Sequence, residues 1–153
     1  MTLESLKNYW QDLCLSERDV NTFLIGTNFT PANNTDDKYP LCFWEMPYAI
    51  TPIPDKQIDT VTCALSVFLS TKQDDIKDWH QAISFAKTIG DVIILRASED
   101  VANKQFRVDS FNSISLTEYS DDSVAGIRYD LTLTVKRDYC KEDLDEYFDD
   151  KPE

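Results

Sequence analysis

Glycine, histidine and closely paired cysteines are scarce in this sequence of 153 residues. The three glycines are isolated from one another, which excludes a glycine-rich P-loop or a dinucleotide-binding fingerprint. None of the four cysteines forms a C-x-x-C pair, so the sequence predicts neither a zinc site nor a redox motif. Cys42 and Cys63 lie in strand-like apolar runs, where a thiol packs as a small hydrophobic group. This usage favours reduced thiols in an intracellular setting.

Long apolar segments and basic residues are also in short supply. No stretch approaches the roughly 20 apolar residues that a membrane span requires, so we expect no membrane partner. Residues 1–14 carry charges inside their apolar pattern, which argues against a signal peptide. Twenty-eight acidic residues against fifteen basic ones give a net charge of -13. That charge repels nucleic-acid phosphates and anionic membranes, so a general DNA or RNA binder is not expected.

The apolar content of 42% is sufficient for one hydrophobic core. We therefore predict a single domain over residues 1–140. Beyond Cys140 the chain has seven acidic residues against two lysines, a contribution of -5 to the net charge. This composition predicts a disordered acidic tail over residues 141–153.

In the first half of the chain, one helix and two strands are predicted. Apolar residues recur at helical spacing over residues 2–15, whereas residues 16–28 are interpreted as a turn or loop packed on the core. Residues 41–46 are apolar on both faces and predict a strand covered on two sides. The prolines that follow in residues 47–54 are expected to break its pairing, and alternation over residues 60–70 predicts the next strand.

In the second half, a capping pattern that starts at Ser70 predicts the beginning of a second helix, which continues to about residue 96. Residues 105–117 alternate imperfectly, and Phe111 breaks the parity, which predicts a strand with a bulge. After a turn at residues 121–123, the clean alternation of residues 127–136 predicts a strand with one buried face and one wet face. The resulting expectation is an α+β fold, an antiparallel sheet of about four strands with both helices on one face.

The sequence indicates no catalytic residue, no cofactor-binding residue and no metal ligand, so we predict that the protein is not an enzyme. His80, the one histidine, is interpreted as a boundary residue of the second helix rather than as a general base. Adjacent aspartates such as Asp121 and Asp122 fall mostly in loops, and no calcium-binding loop motif surrounds them. A small metal-dependent hydrolase or nuclease built on Asp121, Asp122 and His80 is retained as a less favoured alternative.

Three short motifs stand out in the sequence: Val20-x-Thr22-Phe23-x-x-Gly26, Tyr39-Pro40-x-x-Phe43-Trp44-x-x-Pro47 and Gly126-x-x-x-Asp130-Leu131-Thr132-Leu133. Together with the strand that leads into the second helix, they resemble ring-forming neck and tail-completion proteins of tailed bacteriophages, especially crAss-like phages of Bacteroidetes. The resemblance extends over residues 3–136.

This resemblance implies a tail-terminator-like fold and a structural virion protein without an active site. It implies a homo-oligomeric ring, twelvefold or sixfold, between the portal side and the tail, in contact with neighbouring portal, connector and tail proteins. The protein would be assembled in the cytoplasm of the infected bacterium and located in the neck or tail of the virion. DNA would pass through the ring without specific binding, because an acidic wall does not retain phosphates.

Identical subunits that each carry a charge of -13 repel one another, so their acidic residues should face the lumen or the solvent rather than the subunit contacts. We therefore predict that these contacts use strand edges, loops and the few basic residues, with Lys56, Arg128 and Lys136 as candidates. An alternative function is an acidic DNA mimic or small inhibitor that binds a host protein. That alternative requires carboxylates arrayed on one face, whereas this sequence distributes them over loops and a tail.

Overall fold

The computed structural model describes residues 1–27, 38–72, 75–100, 105–118 and 123–139. These residues form an α+β fold with two helices and five strands, in which a short 3-10 turn, Pro54–Lys56, joins β2 to β3. The elements in chain order are α1 (Leu3–Ser16), β1 (Thr22–Gly26), β2 (Leu41–Ile53), β3 (Ile58–Ser70), α2 (Ile76–Glu99), β4 (Phe106–Glu118) and β5 (Val124–Lys136).

The five strands form one mixed sheet in the order β1-β2-β3-β5-β4. β1 runs parallel to β2, and the other neighbours are antiparallel. The expectation of about four antiparallel strands is therefore wrong in this detail, and so is the assignment of residues 16–28 to a turn or loop. β1 has only five residues and no regular alternation of burial, so its pairing with β2 decides its conformation.

β2 continues beyond the predicted strand, through Pro47 and Pro52 to Ile53. The regular pairing with β3 is interrupted around Pro47, as expected, because the register shifts between Glu45 and Ala49. It resumes at Ala49 and continues through Pro52 to Ile53, which the sequence did not predict. β1 pairs with β2 only as far as Glu45. The far half of β2 thus has one side that no other described strand occupies, and a missing proline N–H is tolerated on such a side.

α2 begins later than predicted, at Ile76, because the β3 pairing with β5 extends to Ser70. Ser70 is therefore the end of a strand and not a helix cap. Asp75 caps the helix instead, since its side chain accepts a hydrogen bond from the Asp78 N–H at 3.1 Å. The predicted cap residue Gln73 lies outside the described residues. α1, by contrast, is confirmed to within one residue at each end.

Both helices pack on one face of the sheet, which we call the helix face, and bury the main core there. Trp10 of α1 stacks on Trp44 of β2 with ring centroids 5.5 Å apart, and both side chains are fully buried. The predicted alternation of β5 over residues 127–136 is confirmed. On the opposite face, a smaller cluster covers the end of the sheet near β1; its buried members are Leu41, Phe43, Phe68 and Val124.

Gly90 allows α2 to approach the sheet closely at Tyr129. A Cβ atom at this position would lie 2.2 Å from a ring carbon of Tyr129. The Tyr129 hydroxyl donates to the Asp91 carboxylate at 2.7 Å and lies 3.0 Å from the Lys87 carbonyl oxygen. Burial, followed by the interaction with Asp91, raises the pKa of Tyr129. The glycine that helix propensity disfavours is therefore required by packing.

β4 contains the bulge that the broken parity predicts, but the irregularity lies between Val108 and Ser110 rather than at Phe111. Asp109 is the extra residue, and its carboxylate accepts hydrogen bonds from Arg107 Nε at 2.7 Å and Thr134 Oγ1 at 2.5 Å. Burial raises the pKa of Asp109, but these hydrogen bonds and the charge of Arg107 outweigh it and lower the pKa overall.

Cys14, Cys42 and Cys63 are buried free thiols, which agrees with the interpretation of Cys42 and Cys63 as small hydrophobic groups. Burial raises the pKa of Cys63 to about 12. The predicted turn at Asp121 and Asp122 and the predicted disorder of residues 141–153 lie outside the described residues.

Candidate subunit interface

His80 and the described carboxylates are not assembled into a reactive cluster. His80 is exposed on the first turns of α2, as expected for a boundary residue. Within the residues that the structure describes, no group of three or more histidine, cysteine, aspartate or glutamate side chains could hold a metal ion. The described chain also presents several surfaces that can contact another protein.

The structure brings two of the three predicted contact residues together. Lys56, in the turn between β2 and β3, and Lys136, at the end of β5, line one depression of about 590 Å³ together with Arg107. Asp100 also contributes to its wall. Cationic side chains thus converge on one end of the sheet in a protein that is strongly acidic overall.

Arg128 lies elsewhere, on the face of the sheet opposite the helices. Its guanidinium nitrogens are 3.4 Å from a Glu45 oxygen and 3.3 Å from an Asp130 oxygen. All three residues line a small cavity of about 170 Å³. Because two carboxylates of its own chain already face its charge, Arg128 has less electrostatic attraction to offer a neighbouring subunit than Lys56 or Lys136.

The outer part of β4 is the most exposed strand segment in the described chain. Every residue from 110 to 115 is exposed, although successive residues point to opposite faces of the sheet. Phe111 is 40% exposed and Ile114 is 58% exposed. β5 pairs with one side of β4, and in the described ranges no strand pairs with its other side. This segment, residues 110–115, is hereafter the open segment of β4.

β1 forms the opposite edge of the sheet. It pairs with β2 on one side, and none of the described strands pairs with its other side. Its sequence, Thr-Phe-Leu-Ile-Gly, contains no ionisable side chain, and Ile25 is 44% exposed. The imperfect alternation of residues 105–117 indicated a bulged strand but did not identify β4 as an edge of the sheet. Nothing comparable marked β1.

A further surface is an apolar groove of about 560 Å³ between the end of α1 and the middle of α2. Leu13, Phe85 and Val92 contribute apolar lining, and Arg18 and Arg96 contribute charge. Phe85 and Val92 are exposed in spite of their size. The groove offers a contact surface on the helix layer, on the side of the helices away from the sheet.

Comparison with protein-family models and with curated proteins found no match for this chain. Neither of the two described helices is long and apolar enough to cross a membrane.

Proposed function

We propose that this protein is a structural ring subunit of the head-to-tail connector or neck of a tailed bacteriophage, with a tail-completion or tail-terminator-like role. The observation that supports this proposal best is the open segment of β4, a strand edge exposed on both faces and available to another subunit. A protein that works by joining copies of itself requires such surfaces rather than a catalytic pocket.

The bulge of β4 and two of its charged residues, Arg107 and Asp109, lie at its beginning, whereas the open segment that follows lacks charge and proline. Backbone N–H and C=O groups on a free edge recruit another strand unless lysine, proline or inward-pointing charge opposes it. Residues 110–117 contain no charged residue and no proline. The open segment of β4 is therefore suited to add to the sheet of a neighbouring protein.

The net charge of -13 supports the same role in a different way. Lysine and arginine contacts hold DNA by releasing counterions from its phosphates, and each contact retains the strand at that point. An acidic lumen avoids this retention while the genome passes. The basic depression at Lys56 and Lys136 is suited to receive an acidic loop of an adjacent subunit, so that attraction replaces repulsion at that contact.

Two measurements on the full chain test the proposal. Immunogold labelling and peptide mass spectrometry of purified phage particles are expected to place the chain at the neck or at the upper end of the tail. Electron microscopy of the purified protein at high concentration is expected to show closed rings, sixfold or twelvefold. The particle measurement is the more decisive of the two, because a subunit that assembles only on its neighbouring protein is found in particles even when it is monomeric in solution.

Absence of the chain from purified particles, together with a monomeric mass at all concentrations, would overturn the proposal. Stable capture of a host nucleic-acid-binding protein by that monomer would then support the alternative of an acidic inhibitor. Hydrolysis of a phosphodiester substrate that is lost in the triple variant Asp121→Asn, Asp122→Asn, His80→Ala would instead support the metal-dependent enzyme.

A further inference from the structure

We infer that neighbouring copies of this chain join by antiparallel pairing of β4 in one copy with β1 in the next, so that one sheet continues across the subunit boundary. This inference rests on the proposed ring and names the surfaces that form it. A ring requires two different, complementary surfaces on each subunit, because a patch that pairs with itself gives a closed dimer. β4 and β1 are the outermost strands of the described sheet. The side of β2 beyond Glu45 is also unpaired among the described strands, but that half of β2 contains Pro52, which lacks a backbone donor.

The strand directions allow this contact. β1 is parallel to β2, and each following neighbour in the order β2-β3-β5-β4 is antiparallel, so β4 runs opposite to β1. When a second copy is placed beside the first in the same orientation, its β1 meets β4 antiparallel. Antiparallel pairing is the slightly more stable arrangement for each residue. The helix layers of both copies then lie on the same side of the joined sheet.

The two edges match in length and in charge. β1 has five residues, and the open segment of β4 has six. Neither contains an ionisable side chain, although the whole chain carries a charge of -13. Identical acidic subunits repel one another at most surfaces, so contact is favoured where both partners are uncharged.

Exposed apolar side chains on the two edges provide complementary contacts. Paired residues on neighbouring strands point to the same face of a sheet. Ile25 therefore projects to the helix face, because it pairs with the core residue Trp44. Phe111 projects to the same face, because it pairs with the core residue Leu131. Placing Ile25 opposite Phe111 covers two side chains that are 44% and 40% exposed in the single chain. In the same register, Leu24 and Ile114 lie diagonally on the opposite face. Such cross-strand apolar pairs stabilise a sheet.

Disulfide cross-linking of assembled material tests this register. The double variant Ile25→Cys, Phe111→Cys is made in a Cys140→Ser background, and the other native thiols are buried. Directly opposite residues in an antiparallel pair have Cα atoms about 4.5 to 5.5 Å apart, which is within the range of about 4.4 to 6.8 Å that a disulfide requires. Mild oxidation is expected to convert most chains into a series of linked oligomers at multiples of 17.6 kDa, and reduction should return them to monomer.

The single variants Ile25→Cys and Phe111→Cys are expected to remain monomeric on a non-reducing gel, because each contact then carries one thiol. The matched control is Ile25→Cys, Val92→Cys, since Val92 is also an exposed apolar residue but lies on α2. It should not cross-link. Melting temperature and assembled mass of every variant are measured first, to show that the fold and the ring are intact.

Rings or particles of normal mass that contain the double variant but give only monomer after oxidation would overturn this inference and leave the proposed function intact. Linked dimers from Phe111→Cys alone would also overturn it, because they indicate two-fold pairing of β4 with β4. Absence of the wild-type chain from rings and particles would count against the proposed function itself. Oligomers from the double variant in particles would support both.

Discussion

The centre of the sheet and its β4 edge contrast sharply in burial. β3 contributes six consecutive buried residues, 63–68, because the helix layer covers one face and the smaller cluster covers the other. In the open segment of β4, six consecutive residues are exposed on both faces. A β-strand at the centre of the sheet therefore stabilises the fold, whereas a β-strand at the edge offers a contact surface.

This difference shows why the two regions should respond to substitution in different ways. Central residues are surrounded by packed atoms, so an added or removed group must displace its neighbours. Edge residues contact solvent, so a change there alters what the protein can join more than whether it folds.

Thiol reactivity should show the largest difference between the two regions. Because burial raises the pKa of Cys63 from 9.0 to about 12, the thiolate fraction at pH 8 falls by about a thousandfold, and exclusion of reagent slows alkylation further. A cysteine introduced on the β4 edge, Ser113→Cys, should react at the rate of a free thiol. Mass spectrometry of iodoacetamide-treated native protein measures both. Rapid native labelling of Cys14, Cys42 or Cys63 would contradict the buried assignment.

Gly126→Ala should give the largest loss of stability. A Cβ atom at this position would lie 1.9 Å from the carbonyl oxygen of Val67, a backbone atom of the paired strand β3 that cannot move aside. We expect a loss of about 3 kcal/mol or more in urea denaturation. Gly26→Ala on β1 is the control, since its Cβ would meet only the Phe43 ring at 3.3 Å, and it should cost less than about 1 kcal/mol. Equal losses at the two positions would contradict this account.

Gly90→Ala separates helix propensity from packing. Propensity alone predicts a gain of about 1 kcal/mol, whereas the clash with Tyr129 predicts a net loss of about 1 to 3 kcal/mol. In a Tyr129→Leu background, where the aromatic ring is removed, the same substitution should become neutral or stabilising. Equilibrium unfolding of the four proteins in this double-mutant cycle measures the difference. A loss of the same size in both backgrounds would show that Tyr129 is not the cause.

Ile114→Thr on the β4 edge should have the smallest effect on the single chain, within about 0.5 kcal/mol of wild type. Ile114 is 58% exposed, and threonine keeps a β-branched side chain that suits a strand. Thermal unfolding at a protein concentration at which mass measurement shows a monomer checks this value. A loss above about 2 kcal/mol would mean that Ile114 is packed in the single chain.

Elements with clean local periodicity were predictable, and the elements that depend on distant partners were not. α1, β3 and β5 follow from apolar spacing alone, because one face of each is buried along most of its length. β1 and the far half of β2 were missed. The five residues of β1 show no alternation and so do not identify a strand. The prolines of β2 indicated a break in pairing, but the free side of the strand tolerates their missing N–H groups beyond it.

The candidate contact residues show the same division. Lys56, Arg128 and Lys136 were selected because basic residues are scarce in this acidic chain. The sequence did not reveal that the two lysines share one depression. Nor did it reveal that Arg128 faces Glu45 and Asp130. The open segment of β4 was predicted as part of a bulged strand, but its exposure on both faces depends on which parts of the sheet the helices and the smaller cluster cover.

The α+β class, the acidic character and most of the core positions follow from local periodicity and composition, so the amino-acid sequence is sufficient to predict them. The tertiary structure decided the strand order, the parallel pairing of β1 and the identity of the two edges, because pairing between distant segments depends on which backbone groups meet in space. For a protein proposed to act by joining its own copies, those edges are the features on which function depends.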